Sequence, residues 1–164
     1  MKKIKFMIFF LIIPIYCFSL EKVRVLYVID GDTIKVLYHG KKESVRLIGI
    51  DCPESRRNAR AKKIAERSKE DLNIIIKQGK AAKKFTKSLV KKGDMVELEF
   101  DVTVRDFYHR LLAYVYLANG KMLNEEIIQA GYASPLTIQP NSKYADKFLE
   151  EFRKARENKK GLWH

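Results

Sequence analysis

Acidic side chains cluster twice within a short stretch of the sequence, and an arginine lies between the two clusters. Asp30 and Asp32 belong to the first cluster, Ile-Asp-Gly-Asp-Thr, and Asp51 and Glu54 belong to the second, Asp-Cys-Pro-Glu. Arg46 is the arginine between them. Carboxylate oxygens are the ligands that hard cations such as Ca²⁺ and Mg²⁺ prefer, and a guanidinium group can hold phosphate oxygens through paired hydrogen bonds. This combination suits the cleavage of a phosphodiester.

The chemistry of phosphodiester hydrolysis offers a role for each group. Asp32 and Asp51 are suitable ligands for a hard cation, and Glu54, directly after the second ligand, can orient or deprotonate the attacking water. A second arginine, Arg110, follows in Arg-Asp-Phe-Tyr-His-Arg and can join Arg46 on the phosphate. Zinc is disfavoured because the few cysteines and the three scattered histidines form no zinc-binding pattern.

Each of these elements also has a simpler interpretation when it is taken alone. Asp-Gly-Asp is a common turn, and Asp-x-Pro-Glu can cap a helix. Arg46 can be an exposed strand residue, and Arg110 can pair with Asp106. A nucleophilic role for Cys52 is disfavoured because no histidine is suggestively placed. The order and spacing of the elements together are more specific than any one of them.

The amino terminus has the pattern of a secretory signal peptide over residues 1–19. Lysines precede an apolar run from Phe6 to Phe18, which is short for a transmembrane helix, and the small residue Ser19 suits cleavage. An uncleaved anchor and lipidation at Cys17 are the alternatives. We therefore expect a protein that is secreted or held in the cell envelope or periplasm, with one domain over residues 20–164. The formal net charge of +13 favours a polyanionic partner.

The pattern of apolar residues and turn signals predicts an α+β fold. Helices are expected over 81–90, 123–130 and about 142–158, and strands over 23–29, 33–38, 44–50, 95–101 and 111–118. Residues 56–80 have the composition of a charged insertion, partly helical and mobile. Five strands, with a helix between the third and fourth and helices at the end, indicate a five-stranded Greek-key β-barrel of the OB-fold type with three helices.

The sequence resembles the staphylococcal nuclease (thermonuclease) family. The matching stretches span almost all of residues 20–164 in order: 29–33, 46–54, 106–114, 119–124 and the terminal Gly161-Leu162-Trp163. The resemblance implies a Ca²⁺-dependent endonuclease that hydrolyses single-stranded or locally open DNA and RNA and leaves 3′-phosphorylated ends. It also implies no obligate protein partner, and we expect a monomer.

The resemblance assigns the candidate site residue by residue. Asp32 and Asp51 are similar to the side-chain ligands of one catalytic Ca²⁺, and Cys52, at a position where the family has threonine, would supply a backbone carbonyl. Glu54 is similar to the residue that positions the attacking water or takes its proton.

The same resemblance assigns the residues that hold the substrate. Arg46 and Arg110 correspond to the pair that clamps the phosphate, and Tyr108 corresponds to a tyrosine that lines the nucleotide pocket. The sequence departs from the family where Leu136 and Ile138 replace two tyrosines, which weakens stacking on the bases. His109 also replaces a glycine, and the segment after the second acidic cluster is longer.

Two hypotheses of another class compete with the nuclease. A non-catalytic OB-fold nucleic-acid-binding protein at the cell envelope would explain the charge and the fold. It is disfavoured because Asp32, Asp51 and Glu54 together would repel a polyanion unless a metal ion is bound. The second competing hypothesis is a cationic interaction protein that is held at the cell envelope by an uncleaved or lipidated amino terminus.

Overall fold

The computed structural model describes residues 20–164, which form seven strands and four helices. The strands are β1 (Glu21–Asp30), β2 (Thr33–Tyr38), β3 (Lys41–Leu47), β4 (Gly49–Asp51), β5 (Met95–Glu99), β6 (Leu111–Tyr116) and β7 (Ser134–Leu136). The helices are α1 (Ala59–Ser68), α2 (Leu72–Leu89), α3 (Leu123–Gln129) and α4 (Ala145–Glu157). No helix in this part of the chain combines the length and apolarity needed to cross a membrane. The expected signal peptide and Cys17 lie outside the described residues.

Five of the strands close into a barrel in the order β1-β2-β3-β6-β5. The pairing of β3 with β6 is parallel, and the other pairings are antiparallel. Alternate side chains point inward and fill the barrel, as closed small barrels require. The fully buried members of this core include Val25, Ile34, Val36, Val45 and Leu98. The prediction of a five-stranded barrel of the OB type is confirmed, with four helices instead of three.

The additional helix comes from the charged segment 56–80, where the sequence predicted only partial helix. Asn58 caps α1 by accepting a hydrogen bond from the backbone N–H of Ala61, and Asp71 caps α2 by accepting one from Asn73. α2 then continues without a break through Lys80, so its predicted start at residue 81 is wrong. Because the segment is so rich in charged residues, its sequence pattern did not indicate the two capping residues or the buried residues of α2.

The third predicted strand, 44–50, is divided into β3 and β4. Gly49 adopts a φ of +81°, and a Cβ there would lie 2.5 Å from the ring of Phe148. The chain therefore leaves the barrel at this glycine, and β4 pairs with β7, a strand that the sequence did not predict. This turn places Asp51 at the edge of the barrel.

The expected start of the last helix at about residue 142 is three residues too early. Asn141, one of the predicted caps, instead exchanges two hydrogen bonds of 2.7 Å with the backbone of Thr103. These bonds tie the loop before α4 to the loop before β6. The loops that carry Tyr108 and Ile138 are thereby held against the same side of the barrel.

Candidate active site

Arg46 lies at the centre of the candidate site, with a side chain that is only 9% exposed. Its guanidinium nitrogen Nη1 lies 3.0 Å from Oδ2 of Asp32, and Nη2 lies 2.7 Å from Oδ1 of Asp51. Nη1 also donates to the backbone carbonyls of Leu47 at 3.3 Å and Ile50 at 2.9 Å. The buried charge is thus paired twice and its donors are directed to fixed acceptors.

Strand register explains why Arg46 meets the first acidic cluster. Arg46 on β3 lies opposite Thr33 on β2, so its side chain is next to Asp32 at the preceding position. Asp32 is 5% exposed, and its Oδ2 accepts a second hydrogen bond, from the backbone N–H of Cys52 at 2.9 Å. Its Oδ1 accepts one from Thr33 Oγ1 at 2.9 Å. Asp32 therefore joins the two acidic clusters.

One face of α2 holds both acidic turns from behind. A Cβ at Gly79 would lie 2.3 Å from the backbone C and O of Glu54, and the Cβ of Ala82 would lie 3.0 Å from one built at Gly31. Thr86 Oγ1 donates to the Gly31 carbonyl at 2.7 Å. The sequence pattern does not predict this support, because it places the start of the helix after Gly79. The spacing of small residues at i, i+3 and i+7 is the signal that could have revealed it.

The first turn of α1 adds an arginine that the sequence analysis also missed. Nη2 of Arg60 lies 2.5 Å from Oδ1 of Asp51, and Nη1 lies 2.9 Å from Oε1 of Glu54. Asn58 Nδ2 donates to the other oxygen of Glu54 at 2.7 Å. Burial by itself would lower the pKa of Arg60, but the hydrogen bond to Asp51 and the nearby carboxylates outweigh it and raise that pKa. Arg60 is therefore a fixed cation between the two carboxylates.

Arg110 lies near the site but is bound to its own loop. Its Nε and Nη2 each lie 2.7 Å from Oδ2 of Asp106, which is the pairing that the sequence left open as the simpler interpretation. The parallel pairing places Arg46 opposite Leu112, two residues after Arg110. Arg110 lines a cavity of about 310 Å³ that also contains Glu54. The two arginines are thus brought to one region, and Arg110 has about a third of its side chain exposed.

Tyr108 lines a neighbouring cavity of about 520 Å³, together with Arg46, Arg110, Leu136 and Ile138. Tyr108 is 75% exposed, and the Cζ atom of Arg110 lies 5.6 Å from the centre of its ring. The two aliphatic residues therefore line the cavity beside the tyrosine, at the positions where the family has tyrosines, and offer no stacking surface.

The backbone conformation at His109 explains why the family has a glycine at this position. Its φ is +61°, in the left-handed region where a glycine is unstrained and another residue costs about 1–2 kcal/mol. The backbone turn before Arg110 is therefore kept, although the residue that the family uses for it is absent.

Carboxylate and carbonyl oxygens are the kind of donor that a hard cation prefers. Asp32 and Asp51 are held on one guanidinium, and the backbone carbonyl of Cys52 is adjacent in sequence. Among residues 20–164 no three side chains of His, Cys, Asp or Glu are gathered into a metal-binding cluster. Burial, followed by the charge of Asp32, raises the pKa of the Cys52 thiol well above its usual range, which disfavours the thiolate form that a nucleophile or a soft-metal ligand needs.

Comparison with known proteins identifies the family. Residues 44–164, which include Asp51, Glu54 and Arg110, match the model of the family described as "Staphylococcal nuclease homologue". The chain belongs to the staphylococcal nuclease family. The predicted membership is thereby confirmed, and the closed barrel agrees with it.

Relatives within the staphylococcal nuclease family are similar along most of this chain. Endonuclease YncB of Bacillus subtilis (strain 168) is 39% identical over 137 residues, 82% of this chain and 58% of YncB. The SPbeta prophage-derived endonuclease YokF of the same strain is 37% identical, over 82% of this chain and 41% of YokF. A thermonuclease of Staphylococcus hyicus is 34% identical, over 85% and 74%. The chain thus spans about half the length of the two Bacillus relatives.

Substitution of Gly79 by alanine tests the support that α2 gives to the second acidic turn. The added methyl group would overlap the backbone of Glu54, and overpacking of this kind costs about 1–3 kcal/mol, more than the helix gains from alanine. We expect a lower free energy of unfolding in urea and shifted amide resonances at Glu54 and Ser55. Ser88→Ala, on the exposed side of the same helix, is the control. Unchanged stability and resonances in Gly79→Ala would contradict the packing.

Proposed function

We propose that the protein is a Ca²⁺-dependent endonuclease that hydrolyses single-stranded or locally open DNA and RNA and leaves 3′-phosphorylated ends. The observation that carries this proposal is the pairing of Asp32 and Asp51 with the buried guanidinium of Arg46, beside a cavity that Asp32, Glu54 and Arg110 line together. Similarity to relatives that are named endonuclease and thermonuclease supports it.

One Ca²⁺ ion is the proposed cofactor. Asp32, Asp51 and the backbone carbonyl of Cys52 would hold it, and water and phosphate oxygens would complete the about six to eight ligands that Ca²⁺ takes. When bound, the ion would neutralise charge on the phosphate oxygens. Mg²⁺ requires nearly ideal octahedral geometry, whereas the mixed carboxylate and carbonyl donors here suit the more flexible Ca²⁺.

The side chains divide the remaining work. Glu54 orients the attacking water or takes its proton, since the carboxylate is held at the cavity that Arg110 also lines. The water oxygen bonds to phosphorus while the bond from phosphorus to the 5′ oxygen breaks. The leaving 5′ oxygen takes up a proton from water, so the products are a 3′-phosphate and a 5′-hydroxyl. Arg46 and Arg110 bind the phosphate oxygens as negative charge develops on them, and Tyr108 contacts the base.

Replacement of Glu54 by glutamine separates cleavage from binding. With denatured DNA, and again with RNA, we expect digestion by the unmodified protein when Ca²⁺ is present and none when EGTA removes it. Glu54→Gln is expected to lose about 100- to 10,000-fold in rate, because a positioned proton acceptor contributes that much, while binding of the strand is retained.

Glu150→Gln is the matched control, because Glu150 is exposed on α4 and pairs only with Lys154 among the described residues. It should digest DNA like the unmodified protein. Binding without Ca²⁺-dependent cleavage, or a Glu54→Gln variant as active as the control, would instead support the non-catalytic nucleic-acid-binding protein.

Arg60 competes with a bound cation for the same oxygen atoms. Its guanidinium and that of Arg46 both contact Oδ1 of Asp51. We expect Arg60→Gln to tighten Ca²⁺ binding by about tenfold, since a charge-assisted hydrogen bond contributes about 1.5 kcal/mol or more and 1.4 kcal/mol corresponds to tenfold. Isothermal titration of Ca²⁺ into the protein without substrate measures this. Equal or weaker binding would show that Arg60 does not oppose the ion.

We further propose that the protein is exported as a monomer, secreted or retained in the envelope or periplasm. The signal-peptide pattern over residues 1–19 supports export, and the positive net charge suits an encounter with polyanions outside the cell. Mass spectrometry of the mature protein should find an amino terminus at Leu20. A retained Met1 would indicate an anchor, and an added lipid on Cys17 would indicate lipidation.

A further inference from the structure

A cationic groove runs along α2 away from the acidic cavity. Two adjoining cavities of about 420 and 540 Å³ form it, and both are lined by Ser55, Arg56 and Lys80. We call this surface the α2 groove. Its basic residues are Arg56, Arg57, Lys77, Lys80, Lys83, Lys84 and Lys87, and no acidic residue lines either cavity.

The lysines of the groove follow one face of the helix. Lys77, Lys80, Lys84 and Lys87 are spaced at i, i+3, i+7 and i+10, and all four are exposed. This is the face opposite the one that supports the acidic turns. Ten residues of α-helix rise by about 15 Å. A strand of that length carries about four phosphates at the 3.4 Å spacing of one strand in a duplex.

The charges of the groove are not compensated within the protein. Between residues 20 and 164, none of the groove's seven basic residues forms an ion pair, whereas Lys121, Lys143, Lys147 and Lys154 elsewhere each do. Burial, then repulsion by Arg56 and Lys87, with some offset from Asp30, lowers the pKa of Lys83. Such a concentration of like charge attracts an anion that is long enough to contact several of the lysines.

The groove is continuous with the acidic cavity. Arg56 lines both cavities of the groove and also the cavity that contains Asp32 and Glu54. Ser55, at the base of the groove, is 4% exposed, and its hydroxyl has no hydrogen-bond partner in the described part of the chain. A buried donor without a partner is unfavourable in the protein alone.

We propose that the α2 groove binds the phosphates of a single nucleic-acid strand on one side of the cleaved bond. The strand leaves the acidic cavity over Arg56 and continues along the lysines of α2. This inference rests on the proposed function, because the acidic cavity sets where the strand starts. The groove holds the backbone through charge and reads no bases, so it strengthens binding of DNA and RNA strands of any sequence.

The test compares two triple variants with the same change in charge. The groove variant is Lys80→Gln/Lys84→Gln/Lys87→Gln. The control is Lys22→Gln/Lys41→Gln/Lys42→Gln, whose residues are exposed at the other end of the barrel, where Glu21 lies 3.4 Å from His39. Binding of a fluorescent single strand of about 20 nucleotides, longer than the roughly four-phosphate groove, is measured at several salt concentrations. Cleavage of that strand and of a dinucleotide is measured in parallel.

We expect the groove variant to bind the long strand at least tenfold more weakly at low salt. The slope of log K against log salt should fall by about two units, since each lost phosphate contact on a single strand contributes about 0.7. The KM for the long strand should rise, and the loss on the dinucleotide should be much smaller. The control variant should match the unmodified protein in every measurement.

Equal binding and equal salt slopes in the two variants would overturn the groove proposal. A loss of the same size on the dinucleotide would do so as well, because the lysines would then act at the cleaved bond. If no form of the protein cleaves either substrate, the proposed function fails. The binding measurement with the fluorescent strand still tests the groove proposal, because it needs no turnover.

Discussion

The burial of one positive charge constrains most of this structure. Arg46 points from the barrel wall into a region where its side chain is 9% exposed, and an unpaired charge there would cost several kcal/mol. Asp32 and Asp51 offset that cost only if both acidic turns lie close enough to the guanidinium for their carboxylates to pair with it. The turn at Gly49 and the pairing of β4 with β7 achieve this, because they place Asp51 beside the end of the barrel. The candidate site and the closure of the fold thus depend on one set of contacts.

Helix α2 combines two requirements on opposite faces. Its inner face needs small residues, since Gly79, Ala82 and Thr86 lie against the backbone of the acidic turns. Its outer face is free of packing and carries a row of lysines. Gly79 in the middle of a helix costs about 1 kcal/mol relative to alanine, and the close approach to Glu54 explains why that cost is accepted. Supporting the turns and displaying the cations are therefore independent properties of one element.

Local signals were sufficient for much of the fold. The alternation of apolar residues and the Gly and Asp turns placed the five barrel strands, and Gly131 ended α3 near its predicted boundary. The charged segment 56–80 defeated the same reasoning, because its caps at Asn58 and Asp71 lie within a run of charged residues. Two residues bind Glu54 in the folded protein, Arg60 and Asn58. The sequence pattern did not predict either of them as part of the candidate site.

The sequence by itself determined which residue types are available for the chemistry. It placed Asp32, Asp51, Glu54, Arg46 and Arg110 in order on strands and turns, because ligand type and strand pattern are local properties. Only the tertiary structure decided their partners. Arg46 is buried between two aspartates, Arg110 is bound to Asp106, and Arg60 reaches the carboxylates from α1, in a segment that the sequence predicted to be only partly helical. Which of the possible partners a charged side chain takes depends on how the elements pack, and the sequence pattern alone left those alternatives open.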